Sequence, residues 1–139
     1  MLRLYADNVG NLKINLGSLD AIDFGVQLST NIWTHLSLVW DDGSYSFYLN
    51  GLLVASGSYS GLNNLQSVAD IGNSGDRPSV EQAFIGRIDH VRLYQNPLSD
   101  DKVLQVCLEG LTSFAHEFTA DQLTQTVAQT STTLYPRYT

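Results

Sequence analysis

The sequence predicts an all-β fold, an antiparallel β-sandwich with short helices near the C-terminus. Two observations predict the strands. The dipeptides Asp42-Gly43 and Asn50-Gly51 are preferred two-residue hairpin loops, because the central residues of such loops adopt positive φ. Apolar and polar residues alternate in the runs that these loops separate, which is the pattern of half-buried strands.

The two loops predict compatible strand pairs. The first loop pairs Trp40 with Tyr45, Leu38 with Phe47, and Leu36 with Leu49. The second loop pairs Leu49 with Leu52, and Phe47 with Val54. Both loops place Phe47 and Leu49 on one face, so they predict a three-stranded meander with one core face. The opposite face is expected to carry His35, Ser37, Val39, Ser46, Tyr48, Leu53 and Ala55.

Further strands are predicted on both sides of this meander. Residues 2–16 alternate around a turn near 8–11 and predict a hairpin, and residues 21–29 predict a short strand that ends near Leu28. Residues 67–72 predict another short strand. Residues 83–94 predict a long strand whose apolar phase changes, so we expect a bend or bulge near Asp89.

The C-terminal part of the chain predicts helix. Ser99 is a suitable N-cap, and Asp100 and Asp101 suit the first turn because the helix dipole favours negative charge there, so we expect one or two helical turns. Thr119 and Gln122 suit a capping box of a second short helix. We therefore divide the chain into a sandwich, residues 1–110, and an extension, residues 111–139, that packs on the sandwich or mediates self-association.

Composition limits the function classes. The chain has 139 residues and a formal net charge of -7, with scattered Lys and Arg, which argues against a nucleic-acid partner. The single cysteine, Cys107, lies among apolar residues and is interpreted as a buried small side chain. No stretch is apolar enough to span a membrane. Arg3 and Asp7 interrupt any signal-peptide pattern after Met1, so we expect either a cytosolic protein or one whose export signal is missing.

Three segments together resemble a known family. They read NIWTHLSLVWDDGSYSFYLNGLLVASG, ADIGN and FIGRIDHVRLYQNPLSDDKV. This set, within about residues 2–108, resembles the second half of a concanavalin A-like, laminin-G-like jelly roll. The resemblance implies several further strands before the position where this chain begins. Three interpretations follow: residues after 108 fill the gap, a second copy fills it, or the chain is a fragment. We favour a homodimer or other homo-oligomer, because a shared sheet would protect the open edges.

The resemblance implies a non-catalytic recognition module for a glycan or a protein. Glycan binding requires an exposed aromatic ring and neighbouring polar groups. The candidate ligand-binding residues are Tyr48, His35, Ser37, Ser46, Tyr59 and Asn63. The alternative for Tyr48 is that it covers the sheet or packs under the C-terminal tail. The alternative is a structural protein whose exposed sheet face, around Tyr48, is a self-interface. Glycosidase activity is not expected, because none of the three glutamates, Glu81, Glu109 and Glu117, has the Glu-x-Asp-x-x-Glu spacing of jelly-roll glucanases.

Calcium is the cofactor that the resemblance implies, and its candidate ligands are Asp76, Asn73 and Asp23. Ordinary turn chemistry explains the same residue types equally well. Asp89 is interpreted as a structural carboxylate that ties a bend to neighbouring backbone. The resemblance also suggests an extracellular or cell-surface location.

Overall fold

The computed structural model describes residues 2–62, 69–73 and 83–114. This part of the chain forms two three-stranded antiparallel sheets and one helix. Sheet A has the order β1-β2-β3, and its strands are Leu2–Ala6, Asn11–Leu16 and Leu19–Gln27. Sheet B has the order β4-β5-β6, and its strands are Leu36–Asp41, Ser44–Leu49 and Leu52–Ser58. Helix α1 is Asp100–Phe114.

The core lies between the two sheets and is centred on an aromatic stack. The rings of Phe24 and Phe47 are parallel within 3°, with centroids 3.9 Å apart. The alternating side chains Leu12, Ile14 and Leu16 of β2 are also fully buried in this cluster. The alternating apolar side chains of each sheet thus form the face that packs against the other sheet. The predicted all-β sandwich is confirmed.

The β1–β2 turn depends on Asp7. One of its carboxylate oxygens accepts hydrogen bonds from the backbone N–H groups of Val9 and Asn11, at 3.1 and 2.9 Å. The other oxygen lies 3.1 Å from Lys13 Nζ. Burial raises the pKa of Asp7, but these donors outweigh burial and lower the pKa to about 2. The carboxylate therefore fixes the turn that sets the hairpin register.

The predicted pairing of β4 with β5 is confirmed at every pair, and so is the Leu49–Leu52 pair that follows the second loop. The predicted Phe47–Val54 pair is wrong. Tyr48 is paired with Leu53 and Phe47 with Ala55, so Val54 is an extra residue in β6. This bulge turns both Val54 and Ala55 towards the core cluster, whereas Ala55 was expected on the opposite face.

The strands predicted downstream of β6 are absent from the described residues. Residues 69–73 and 83–94 contain no strand, although their sequence alternates as expected. No described strand pairs with these residues, because each sheet consists of the three strands already named. Every residue from 84 to 97 is exposed. The backbone does bend near Asp89, as the change of apolar phase predicted, because the next residue, His90, has a φ of 49°.

Helix α1 begins where predicted but is longer than the expected one or two turns. The Ser99 carbonyl accepts the first helical hydrogen bond, from Val103 N at 2.9 Å, and the helix continues for 15 residues. Its length is explained by tertiary packing: Val103 and Cys107 are buried on one side of the helix. The predicted boundary at residue 110 falls inside α1, and the predicted Thr119–Gln122 capping box lies outside the described residues.

Candidate ligand-binding groove

The aromatic ring expected to bind sugar is buried under α1. Tyr48 is only 2% exposed, and its hydroxyl donates a hydrogen bond to Asp100 Oδ1 at 2.7 Å. Burial raises the pKa of Tyr48, and the bond to Asp100 raises it further. The prediction that Tyr48 is an exposed stacking platform is therefore wrong. Tyr48 itself is therefore covered, whereas Leu53, which was predicted on the same face, is 49% exposed.

The turn after β5 explains how α1 comes so close to sheet B. Gly51 has a φ of 81°, and a Cβ at this position would lie 2.8 Å from Leu104 Cδ1 and 3.2 Å from Cys107 Cβ. Glycine therefore supplies both the left-handed turn and the space for the helix. Cys107 is 2% exposed, which confirms its interpretation as a buried small side chain, and burial raises its pKa to about 11.

The other predicted ligand-binding residues do not form one exposed site. Ser37 is paired with Tyr48, and Ser46 lies two residues before Tyr48 on β5. His35 precedes β4, where its N–H donates to Asn50 Oδ1 at 2.9 Å. Tyr59 packs against the core cluster between the sheets. Asn63 lies outside the described residues.

His35, at the start of sheet B, interacts electrostatically with Arg92, which lies in the segment before α1. Burial lowers the pKa of His35, and the positive charge of Arg92 lowers it further. The Nδ1 atom of His35 is buried, and none of the described residues forms a hydrogen bond with it. These properties favour a neutral imidazole at the start of β4.

Two of the three calcium candidates, Asp23 and Asn73, lie in the part of the chain that the structure describes. Asp23 lies on β3, where it is paired with Lys13 and accepts a hydrogen bond from Gly25 N at 2.8 Å. Asn73 lies in a bend far along the chain, and Asp76 lies outside the described residues. Within residues 2–62, 69–73 and 83–114, no three His, Cys, Asp or Glu side chains come together as metal ligands. Calcium needs six or more oxygen ligands, and Asp76 lies outside the described residues, so the calcium site stays a prediction.

The structure reveals a different concave site, which we call the Trp40 groove. It is lined by Trp40, Leu93, Tyr94 and Gln95 and has a volume of about 500 Å³. Trp40 lies on the edge strand β4 and is partly buried against the core, whereas Leu93 and Tyr94 are exposed by 80% and 43%. The groove thus combines a fixed indole, a second aromatic ring and a side-chain amide, which is the combination that suits a ligand with both apolar and polar faces.

A network of polar side chains holds the far wall of the groove against α1. Arg92 Nη1 donates to Glu109 Oε2 at 3.3 Å, and Gln105 Nε2 donates to Glu109 Oε1 at 2.9 Å. Interaction with Tyr94 and Glu109 raises the pKa of Arg92. The ion pair with Glu109 therefore ties residue 92, two positions before Tyr94, to the helix.

The sequence contained part of the signal for this groove. Trp40 was assigned correctly to the core face of β4, and Leu93 and Tyr94 belong to the segment on which the resemblance rests. Their meeting was not predictable, because residues 83–94 were expected to be a paired strand. Gln95 has no local pattern that would single it out.

The position of Asp89 agrees with its interpretation as a structural carboxylate that ties a bend to neighbouring backbone. Its Oδ1 atom accepts a hydrogen bond from His90 N at 2.6 Å, and it lies 3.2 Å from His90 Nδ1. His90 is the residue with positive φ, so the carboxylate stabilises the backbone at the bend.

In the described part of the chain, no helix has the length and apolar character needed to cross a membrane. A search of curated proteins found no match. A crystal structure of an S-layer domain-containing protein (residues 221–444) from Clostridium thermocellum ATCC 27405 is similar, with a TM-score of 0.52 and 23% sequence identity. The match covers 76% of this chain and 55% of that one, so the chain spans about half the length of this structural relative.

Residues 1–104 match the family model described as the Concanavalin A-like lectin/glucanases superfamily, of the laminin-G type. This match covers most of the chain, and it includes both sheets and the start of α1. The sandwich and the sequence match agree, and the chain therefore belongs to the concanavalin A-like lectin/glucanase superfamily.

Proposed function

We propose that this chain is a non-catalytic recognition module that binds a glycan in the Trp40 groove. The observation that carries the proposal is that Trp40, Tyr94 and Gln95 line one concave site at the edge of sheet B. Aromatic rings offer flat apolar surface to the faces of a sugar, and the Gln95 amide both donates and accepts hydrogen bonds. The superfamily to which the chain belongs includes lectins, and this supports a glycan as the ligand over other small molecules.

The non-catalytic part of the proposal rests on the side chains that line the groove. A retaining glycosidase needs two carboxyl groups about 5 Å apart on either side of the scissile bond. None of the four lining side chains is a carboxylate. Glu109, the glutamate that the structure describes, lies on α1 and is paired with Arg92. The groove therefore offers binding surface without an acid–base pair.

Retention on a panel of immobilised polysaccharides tests the proposal, with Tyr94→Ala as the main variant. We expect affinity to fall about tenfold or more, because truncating an aromatic hot-spot residue costs about 2 kcal/mol or more and about 1.4 kcal/mol corresponds to tenfold. Gln95→Ala should weaken binding less. The matched control is Tyr5→Ala, which removes a partly exposed tyrosine from β1 in the other sheet.

Tyr48→Phe distinguishes the groove from the face predicted by sequence. This variant keeps the buried ring and removes only its hydroxyl, so glycan retention should match that of the wild type. Loss of retention in Tyr48→Phe but not in Tyr94→Ala would contradict the groove assignment. Hydrolysis of any chromogenic glycoside would contradict the non-catalytic assignment. Retention of a protein instead of any glycan would overturn the ligand class.

A further inference from the structure

Residues 84–92, which we call the ribbon, are exposed on both faces although their sequence is that of a strand. The exposed fractions of its large apolar side chains are 48% for Phe84, 94% for Ile85, 48% for Ile88 and 61% for Val91. No residue of the ribbon pairs with a described strand. The Phe84 N–H donates to the Gly72 carbonyl at 2.7 Å and the chain bends at Gly86, so the open stretch of the ribbon begins after Gly86. An apolar stretch with an open edge is a template for strand pairing, and exposed apolar patches mark interaction sites.

We propose that the ribbon pairs antiparallel with the ribbon of a second copy of this chain, with Ile88 on the two-fold axis. The argument comes from charge. In this register Arg87 of each copy faces Asp89 of the other, so two opposite-charge pairs form across the axis. An interface of this kind is self-complementary, as two-fold symmetry requires.

The same charges disfavour the neighbouring registers that keep these side chains on the same face. A shift of the axis by one residue towards the C-terminus places Asp89 opposite Asp89. The opposite shift places Arg87 opposite Arg87. Like charges directly opposite each other destabilise a strand pair, so one register is selected. An unrelated partner strand would need to supply this charge pattern, whereas a second copy already has it.

The bend at His90 limits the length of the regular pairing. The φ of 49° at His90 interrupts the alternation after Asp89, and the Asp89 carboxylate holds that backbone in place. The regular part of the proposed interface is therefore residues 87–89, centred on Ile88. The Trp40 groove begins at Leu93, beyond the ribbon, so this proposal does not depend on the proposed glycan site.

Oxidative cross-linking tests the register. Residues facing each other on a two-fold axis have Cα atoms about 4.5–5.5 Å apart, which is within disulfide range. Ile88→Cys should therefore form a disulfide-linked dimer under mild oxidation. Ile85→Cys is the matched control, because Ile85 lies three residues from the two-fold axis and outside the paired residues. The natural Cys107 is buried and should not interfere.

Charge exchange tests the same interface without a covalent bond. Light scattering over a range of concentrations should show a wild-type dimer. Arg87→Asp should raise the dimer dissociation constant about tenfold or more, because both attractive pairs become repulsive. The double variant Arg87→Asp/Asp89→Arg should restore association. Arg3→Asp makes the same charge change on β1 and should leave the dimer unchanged.

Three results would overturn the proposal. They are a wild-type monomer at every concentration, equal cross-linking of Ile88→Cys and Ile85→Cys, and a double charge variant no better than Arg87→Asp alone. Circular dichroism checks that each variant is folded. Arg87→Asp is the safer single variant, since Asp89 also stabilises the bend.

Discussion

The β4–β6 meander and the ribbon have the same kind of sequence and very different surroundings. In both segments apolar side chains recur at strand spacing. In the meander, Phe47 is fully buried against Phe24 on one face, and Tyr48 is buried under α1 on the other. In the ribbon, Ile85 is 94% exposed. The comparison shows that alternation predicts the ability to form a strand, while burial depends on a partner that alternation does not identify.

Truncating one apolar side chain in each region should give the largest contrast. Phe47→Ala should lower the free energy of unfolding by about 3–5 kcal/mol, because it leaves a cavity beside the Phe24 ring. Ile85→Ala should change it by less than about 0.5 kcal/mol in the monomer, since the side chain is exposed. Urea unfolding of both variants at low protein concentration provides the measurement. Similar losses in the two variants would show that the ribbon is packed within the monomer.

The comparison also explains which features of the fold could be predicted from sequence. The turns at Asp42-Gly43 and Asn50-Gly51 are local signals, and they fixed the β4–β5 register correctly. The bulge at Val54 was missed because the second loop alone predicts unbroken pairing. The ribbon was predicted to be a strand because its alternation is strong, but a strand requires a neighbour, and neighbours are set by the topology of the whole chain.

The candidate site was harder to predict than the fold, for a related reason. Tyr48 was assigned to the outer face of β5, and that assignment is consistent with its bond to Asp100. Its burial agrees with the alternative that Tyr48 packs under the C-terminal part of the chain. The extent of that cover was underestimated, because α1 was expected to be only one or two turns long, and the packing of Val103 and Cys107 lengthens the helix. The Trp40 groove joins residues more than fifty positions apart, so no local pattern reveals it.

A substitution between the meander and α1 should have an intermediate effect. Gly51→Ala should lower the free energy of unfolding by about 2–3 kcal/mol, because the new methyl group adds a clash with Leu104 to the cost of positive φ. Gly25→Ala is the matched control. Gly25 also has positive φ, at 67°, but nothing lies within 4 Å of the added Cβ, so we expect about 1 kcal/mol. Thermal or urea unfolding compares the two.

The difference between the two glycine variants isolates the contact with α1. Equal losses would mean that α1 moves away at little cost, and Tyr48 would then be accessible after all. A larger loss for Gly51→Ala would show that sheet B needs the helix as its outer cover. The meander would then be stabilised on both faces, in contrast to the ribbon.

The smallest expected effect concerns His35, where the two regions meet. Burial and the nearby Arg92 lower the pKa of His35 from its ordinary value of 6.5. An NMR titration of the imidazole should therefore give a folded-state pKa below 6.5. Arg92→Gln should raise this pKa part of the way back, because it removes the positive charge but leaves the burial. Arg87→Gln removes a charge from the ribbon itself and should leave the pKa of His35 unchanged.

The same shift predicts how stability depends on pH. Between the folded-state pKa of His35 and its unfolded value of 6.5, the unfolded chain binds more protons than the folded chain. The contribution of His35 to stability is therefore full above the unfolded value and is lost as the pH falls towards the folded-state pKa. His35→Gln should flatten this part of the pH profile, and His90→Gln, on the exposed ribbon, is its control. If Arg92→Gln left the pKa of His35 unchanged, the segment before α1 would not lie beside β4 in solution, and the wall of the Trp40 groove formed by Leu93 and Tyr94 would be displaced with it.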